Sequence, residues 1–331
     1  MRKFRLLGAP VALAALTGLA PPPPVEKVQP EAAESVEPAP PAAAGDSGTS
    51  LRPAVGTEAF YSADSDRTEV ARVALDVGLR DAGDTRSIGL RVERARYNPG
   101  DRGWESRDRI FLTGAETLGK WQLRARVGTD GDSVIGGVSL NDKAKFRKEF
   151  FVERDIVETP QGLDRGLYST FAGAAVDLPV DDRNVFTALA GVQSFTGDNV
   201  RLHLRASYIH VVKPKLGLSA QLRGRYFRSS DPGEYDYYSP RWYAEVLPVA
   251  QMRRFVGGWE LLGAAGLGVQ RDSGSGWRAS RYAHARFRSP RAASDWSLNG
   301  AVTYTNTPSV TGTPRSGYRY VQFTLGVSRR F

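Results

Sequence analysis

The sequence predicts an all-β chain: a transmembrane antiparallel β-barrel of about 16 strands behind a disordered N-terminal tether. Three observations predict it. From about residue 57 onward, apolar and polar residues alternate through one segment after another. Short turns join these segments, and the longer connections fall at every second join. The chain ends "YVQFTLGVSRRF", where Val321, Phe323, Leu325, Val327 and Phe331 share a face interrupted only by Arg329. Chain ends usually fray, so an apolar face kept to the last residue needs a reason. Lipid supplies it if this strand closes a barrel against the first.

The N-terminus reads as a leader. "MRKFR" is a positive start, and "LLGAPVALAALTGLA" is a short apolar stretch ending on small residues. Residues 1–20 are therefore expected to be a secretory signal peptide, with Gly18 and Ala20 placed for cleavage and Pro21 unfavourable just after it. Residues 21–56 are expected to be a disordered periplasmic linker. Up to residue 50 they are rich in Pro, Ala and Glu and carry no aromatic, so they cannot bury enough surface to order themselves. About 30 such residues, extended at roughly 3 Å each, reach roughly 90 Å. The barrel is assigned to 57–331.

Composition agrees. The 331 residues include Gly 35, Phe 14, Tyr 13 and Trp 6, a balance suited to sheets and turns. Mean hydropathy is −0.37, and no long apolar run follows residue 20, which excludes membrane-spanning helices but not a barrel. The absence of cysteine removes disulfides, thiol catalysis and Cys-based metal sites. The leader carries +3 and residues 21–50 carry −4, so the remainder holds +10 of the chain's net +9. The basicity belongs to the barrel.

The strands follow in order. The first half reads as 57–62, 69–80, 87–97, 107–114, 119–128, 133–140, 146–155 and 168–178. The second half reads as 184–193, 199–210, 215–228, 240–251, 256–270, 277–288, 294–305 and 318–331. In "EVARVALDVGLR", Ala71, Val73, Leu75, Val77 and Leu79 oppose Arg72, Ala74, Asp76, Gly78 and Arg80. "KWQLRARVG" and "VRLHLRASY" repeat the device. An even strand count is what a bacterial single-chain barrel requires. With both termini periplasmic, the odd-numbered connections face outward and should be longer. "YNPGDRGWES", "IVETPQGLDRGL", "RSSDPGEYDYYSP" and "NTPSVTGTPRSG" fall there, whereas "PVDDR" and "VKPK" are turns on the other side. A soluble sandwich would put its large apolar residues on one face and charge only on solvent. Here the polar face is rich in Arg, and Trp121, Trp259, Trp277, Trp296 and Tyr304 sit near strand ends, as interfacial girdles do.

By parity the lumen receives Arg72, Arg91, Arg124, Arg126, Arg201, Arg205, Arg223, Arg225 and Arg286, together with Tyr243 and Tyr282. Arg80, Lys120, Arg278 and Arg288 share that face, against the acids Asp76, Glu93, Glu245 and Glu260. The basic excess suits a path for an anionic solute or polymer, because charge lining a pore sets its selectivity. The competing reading is that these arginines pair with lumenal acids and a plug and stiffen the wall. No catalytic constellation stands out. Ser280 and His284 share a face but lie four strand residues apart, roughly 13 Å, too far for a nucleophile and its base. No enzyme activity, cofactor or metal is expected. The basic residues alternate into a lumen instead of forming a patch with exposed aromatics, so nucleic acid is not expected as a partner.

"YDYYSPRWYAEVLPVAQMRRF" followed by "GWELLGAAGLGVQRDSG" is similar to the C-terminal barrels of exopolysaccharide export porins, of the cellulose synthase operon protein C and poly-N-acetylglucosamine export type. Tyr237, Tyr238, Ser239 and Pro240 match that family's loop motif. Tyr243, Trp259, Gly266 and Gly268 match the strands after it. "FFVERDIVETPQGLDRG" resembles a second family feature. The terminal strand, through Phe323 and Phe331, resembles the signal that the barrel-insertion machinery reads in outer-membrane porins, and Arg329 departs from that pattern. The resemblance implies export of an exopolysaccharide across the bacterial outer membrane. It implies outer-membrane lipid and the insertion machinery as partners, and a periplasmic synthesis or scaffold protein in place of the helical repeats that the family carries before its barrel. A general anion-preferring diffusion porin and a surface-loop adhesin or structural barrel stay open as alternatives.

Overall fold

The computed structural model describes residues 52–81, 86–142, 144–290, 295–308 and 318–331. The leader and most of the linker lie outside the described residues. Sixteen strands close into one barrel. They are β1 (Arg52–Asp64), β2 (Glu69–Asp81), β3 (Ser87–Asn98), β4 (Glu105–Leu118), β5 (Trp121–Thr129), β6 (Val134–Asp142), β7 (Lys148–Ile156) and β8 (Tyr168–Pro179). The second half is β9 (Asn184–Phe195), β10 (Val200–Lys213), β11 (Leu218–Ser229), β12 (Trp242–Val256), β13 (Trp259–Asp272), β14 (Arg278–Arg288), β15 (Trp296–Thr305) and β16 (Tyr320–Arg330). Each strand pairs antiparallel with its neighbours in sequence, and β1 pairs with β16 from Ala54↔Arg330 to Asp64↔Tyr320. Closure leaves no sheet edge unpaired, which a lipid environment demands.

The alternation seen in sequence becomes the two faces of the wall. On β2, Val73, Leu75, Val77 and Leu79 are exposed outward while Arg72, Ala74 and Asp76 are buried inward. Leu202 and Leu204 on β10 and Leu267 on β13 continue the outward apolar band. Trp121, Trp259 and Trp296 open strands at the end that holds the termini, and Trp242 and Trp277 lie at the other end. Two belts of amphipathic rings therefore bracket the band.

Two corrections to the expected bounds follow. The linker boundary at 57 is too late, because Ala54, Val55 and Gly56 already pair with Arg330, Arg329 and Ser328. β16 reaches Arg330, and β1 pairs with it along that whole length. The opening of the strand expected at 240 moves to Trp242, leaving Pro240, which has no amide hydrogen to donate, in the loop. Within β12, Pro248 has the same deficiency, and facing β13 supplies Gly266 and Gly268 there. A Cβ at Gly268 would lie 2.1 Å from the Val246 carbonyl oxygen, so only glycine lets the two backbones approach.

One longer connection, between β7 and β8, contains a short helix, α1 (Pro160–Arg165). Thr159 caps it by accepting from the Gly162 amide, Pro160 opens it, and Gly166 ends it at φ 65°. Its Leu163 packs with Val70, Tyr97, Phe111, Ile135 and Ile156, so the loop folds into the barrel mouth.

Candidate functional site: the barrel lumen

The lumen has two unlike walls. Along β1 to β4, Arg91 on β3 sits among three carboxylates: Glu58 at 2.5 Å, Asp76 at 3.0 Å and Glu93 at 3.2 Å. Arg109 on β4 joins the same group through Glu93 at 2.9 Å and reaches Asp155 on β7 at 2.8 Å. Arg72 pairs with Glu158, which descends from the β7–β8 loop. These side chains are nearly all buried. Removing any one cation would strand carboxylates away from water, so the cluster fixes the wall and the loop above it. A smaller version stands on β12 to β14, where Arg253 and Arg286 share Glu260 at 3.1 and 2.8 Å.

The wall of β10 to β12 is different. Strand register brings Arg205, Arg225 and Glu245 abreast. Glu245, however, accepts hydrogen bonds from Ser280 and from Thr307 at 2.7 Å. Among the described residues no ion pair reaches Arg201, Arg223 or Arg225, and aromatic faces stand beside them instead. Arg201 lies 5.0 Å from the Phe195 ring and 4.5 Å from that of Phe227. Arg225 lies 5.5 Å from both Phe227 and Tyr243, and Arg223 lies 4.8 Å from Tyr282. Phe227 and Tyr243 stack at 5.0 Å. Arg223 and Arg225 stay half-buried while the ion-paired Arg72, Arg91 and Arg109 are buried. Beside them, Leu247, Val249, Leu262 and Tyr282 make a small apolar strip. Cation–π contact keeps a guanidinium in place without cancelling its charge.

The family motif organises the mouth above this wall. Tyr237 stacks on Phe195 at 4.3 Å and accepts from Asn199 at 2.9 Å. Tyr238 donates to Asp272 at 3.0 Å, and its carbonyl accepts from Arg201. Ser239 accepts from the Gly233 amide at 2.9 Å. Burial pushes the Tyr237 phenol up to about 12, and burial together with the Asp272 carboxylate raises Tyr238 as well. Both therefore stay protonated donors at any pH the membrane meets. Between these two tyrosines and Tyr235, Asp236 accepts from Thr159 Oγ1 at 2.6 Å and from the Gln161 amide at 2.8 Å. The two stretches singled out in sequence are thus tied to each other, and the loops after β7 and β11 form one roof at the long-loop end.

All eleven residues assigned to the path face inward: Arg72, Arg91, Arg124, Arg126, Arg201, Arg205, Arg223, Arg225, Tyr243, Tyr282 and Arg286. The structure divides them. Arg72, Arg91 and Arg286 are in ion pairs, Arg126 lies 5.2 Å from the Phe111 ring, and Arg124, Arg223 and Arg225 remain half-buried with no carboxylate partner among the described residues. Sequence reasoning missed Arg109, Glu58, Asp155 and Glu158. The strand parity of β1 and β4 was the signal that could have found Glu58 and Arg109, but Glu158 lies in a loop where no period applies. Phe323 faces outward on β16, and Phe331 is exposed beyond it, its amide donating to the Pro53 carbonyl at 2.9 Å. Ser280 is bonded to Glu245, and His284 to Thr303 at 2.9 Å.

No protein-family model matches the chain, and no curated protein matches it. Among solved structures it is similar to a bacterial polysaccharide outer membrane secretin, at 12% identity with a TM-score of 0.63, across 85% of this chain and 99% of that one. It also matches OccK5 (OpdH) of Pseudomonas aeruginosa at 9% identity and a TM-score of 0.42, over 85% and 98% of the two chains. OmpT of Vibrio cholerae matches at 10% identity and 0.42, over 85% and 99%. The secretin likeness carries the fold argument. This chain has the closed barrel fold of a bacterial outer-membrane protein, with an outward apolar band that suits that membrane. The fold observed, a closed antiparallel barrel of sixteen strands, is the one that the resemblance of the Tyr237–Pro240 stretch implies.

Proposed function

We propose that the protein is an outer-membrane channel that exports an anionic exopolysaccharide along the β10–β12 wall. One observation carries this reading: Arg223 and Arg225, which no ion pair reaches among the described residues, are also left partly exposed, and they stand beside aromatic and apolar faces. Sugar rings pack on aromatic faces, and carboxylates or sulfates accept from guanidinium. Weak sites in series let a polymer move, whereas one tight site would stall it. The likeness to a polysaccharide secretin barrel supports the same reading, as does the motif that positions Arg201. A periplasmic synthesis or scaffold protein would deliver the chain to the pore.

A general anion-preferring diffusion channel is the second reading. It is favoured by the roof of Leu163, Val157, Tyr237 and Tyr238, all buried where the loops after β7 and β11 pack together, a cover that suits small solutes better than a polymer. Deleting the gene separates the two. Export predicts that polymer accumulates in the periplasm and disappears from the surface, with small-solute permeability near normal. Unchanged surface polysaccharide together with altered uptake of small anions would leave only the diffusion channel.

A further inference from the structure

The outward face of β11 to β14 carries charge that the lumen does not explain. Near the long-loop end, Arg228 is the penultimate residue of β11, Arg271 the penultimate residue of β13, and Arg281 the fourth of β14. All three are exposed and belong to the lipid-facing set. Trp242 opens β12 between the first two, and Trp277 directly precedes β14. The Arg271 guanidinium lies 5.7 Å from the Trp242 ring and 6.0 Å from that of Trp277. Strand spacing spreads the three cations over about 15 Å.

The outward positions of these four strands hold no Asp or Glu, and among the described residues no ion pair reaches Arg228, Arg271 or Arg281. Elsewhere on the outer wall, Arg94 has Asp108 at 3.7 Å, and Arg154 donates to Thr170 and Ser133. An arginine on the lipid face costs about 2–4 kcal/mol at mid-membrane and close to nothing at the interface. Tryptophan prefers the same depth. The cluster therefore sits at headgroup level, on the side where the barrel's long loops emerge, with its charge uncancelled by the protein.

We propose that this surface binds the phosphorylated headgroup of an outer-leaflet glycolipid. The guanidinium groups take the phosphates through paired charge-assisted bonds, and the two indoles flank the sugar and the first acyl carbons. Charge complementarity selects this occupant over a second copy of the chain, which would bring the same positive face to itself. The inference is independent of what the lumen transports, because it uses only the opposite side of the wall.

The test uses the full chain purified in detergent. Bound lipid per barrel is read by native mass spectrometry after incubation with bisphosphorylated lipid A or with the same lipid dephosphorylated. The wild-type protein is expected to retain the phosphorylated form roughly tenfold better, a preference of about 1.4 kcal/mol. The combined Arg228→Gln, Arg271→Gln and Arg281→Gln variant should lose that preference while keeping the dephosphorylated lipid at its former level. Equal retention of both lipids by the wild type overturns the proposal, and so does full displacement by inorganic phosphate, which would assign the cluster to a free anion. Because the wild-type comparison decides by itself, a variant that fails to fold does not rescue the idea.

Discussion

Two arginines of equal chemistry play opposite parts here. Arg91 is surrounded by Glu58, Asp76 and Glu93, whereas Arg223 donates to Gln221 at 3.0 Å and lies over Tyr282. Arg91→Gln leaves the buried carboxylates of Glu58 and Asp76 without their cation, while Glu93 keeps Arg109, and is expected to lower stability by about 3–5 kcal/mol. Arg223→Gln strands no charge and is expected to cost less than about 1 kcal/mol. Urea unfolding in micelles, followed by tryptophan fluorescence, separates the two. Equal losses would mean that the β1–β4 cluster does not brace the wall. Tyr238→Phe removes the donor to Asp272 but keeps the carbonyl that holds Arg201. By the same measurement it should cost about 1 kcal/mol, and it should leave ion preference unchanged.

At the scale of elements, what was legible in sequence is what depends on local period. Each of the sixteen strands overlaps the segment where alternation placed it, with the ends of β1 and β12 shifted, because a two-residue repeat is set by neighbours along the chain. Parity also sorted inward from outward arginines. Parity could not tell which inward arginines are neutralised, because that depends on register and on loops that return from far away. Glu158 reaches Arg72 across 86 positions, and Asp236 reaches Thr159 across 77. The helix α1 carried its own signals in Thr159, Pro160 and Gly166, but six residues are too few to show a helical period. The tie between loops is a second place for a test. Asp236→Ala leaves the Thr159 hydroxyl and the Gln161 amide without their acceptor, a loss of about 1–3 kcal/mol. Trypsin should then cut the folded barrel after exposed Arg165 roughly tenfold faster. An unchanged cleavage rate would show that the roof is held by its apolar contacts alone. Gly268→Val sets a side chain against the Val246 carbonyl and is expected to reduce the yield of folded barrel, read by heat-modifiable gel mobility.

For the whole molecule, the basic excess resolves into three layers. The acidic cluster of β1 to β4 cancels its arginines, the lumen wall of β10 to β12 keeps its positive charge, and the outer rim of β11 to β14 presents charge to lipid. Only the second layer bears on transport, and a field focused inside a low-dielectric wall concentrates ions of the opposite sign. The most direct test is the reversal potential of the wild-type barrel in a planar bilayer under a salt gradient. The predicted result is anion preference, weakened when Arg223→Ser and Arg225→Ser are combined, with the barrel still folded. A wild-type pore that prefers cations would contradict it.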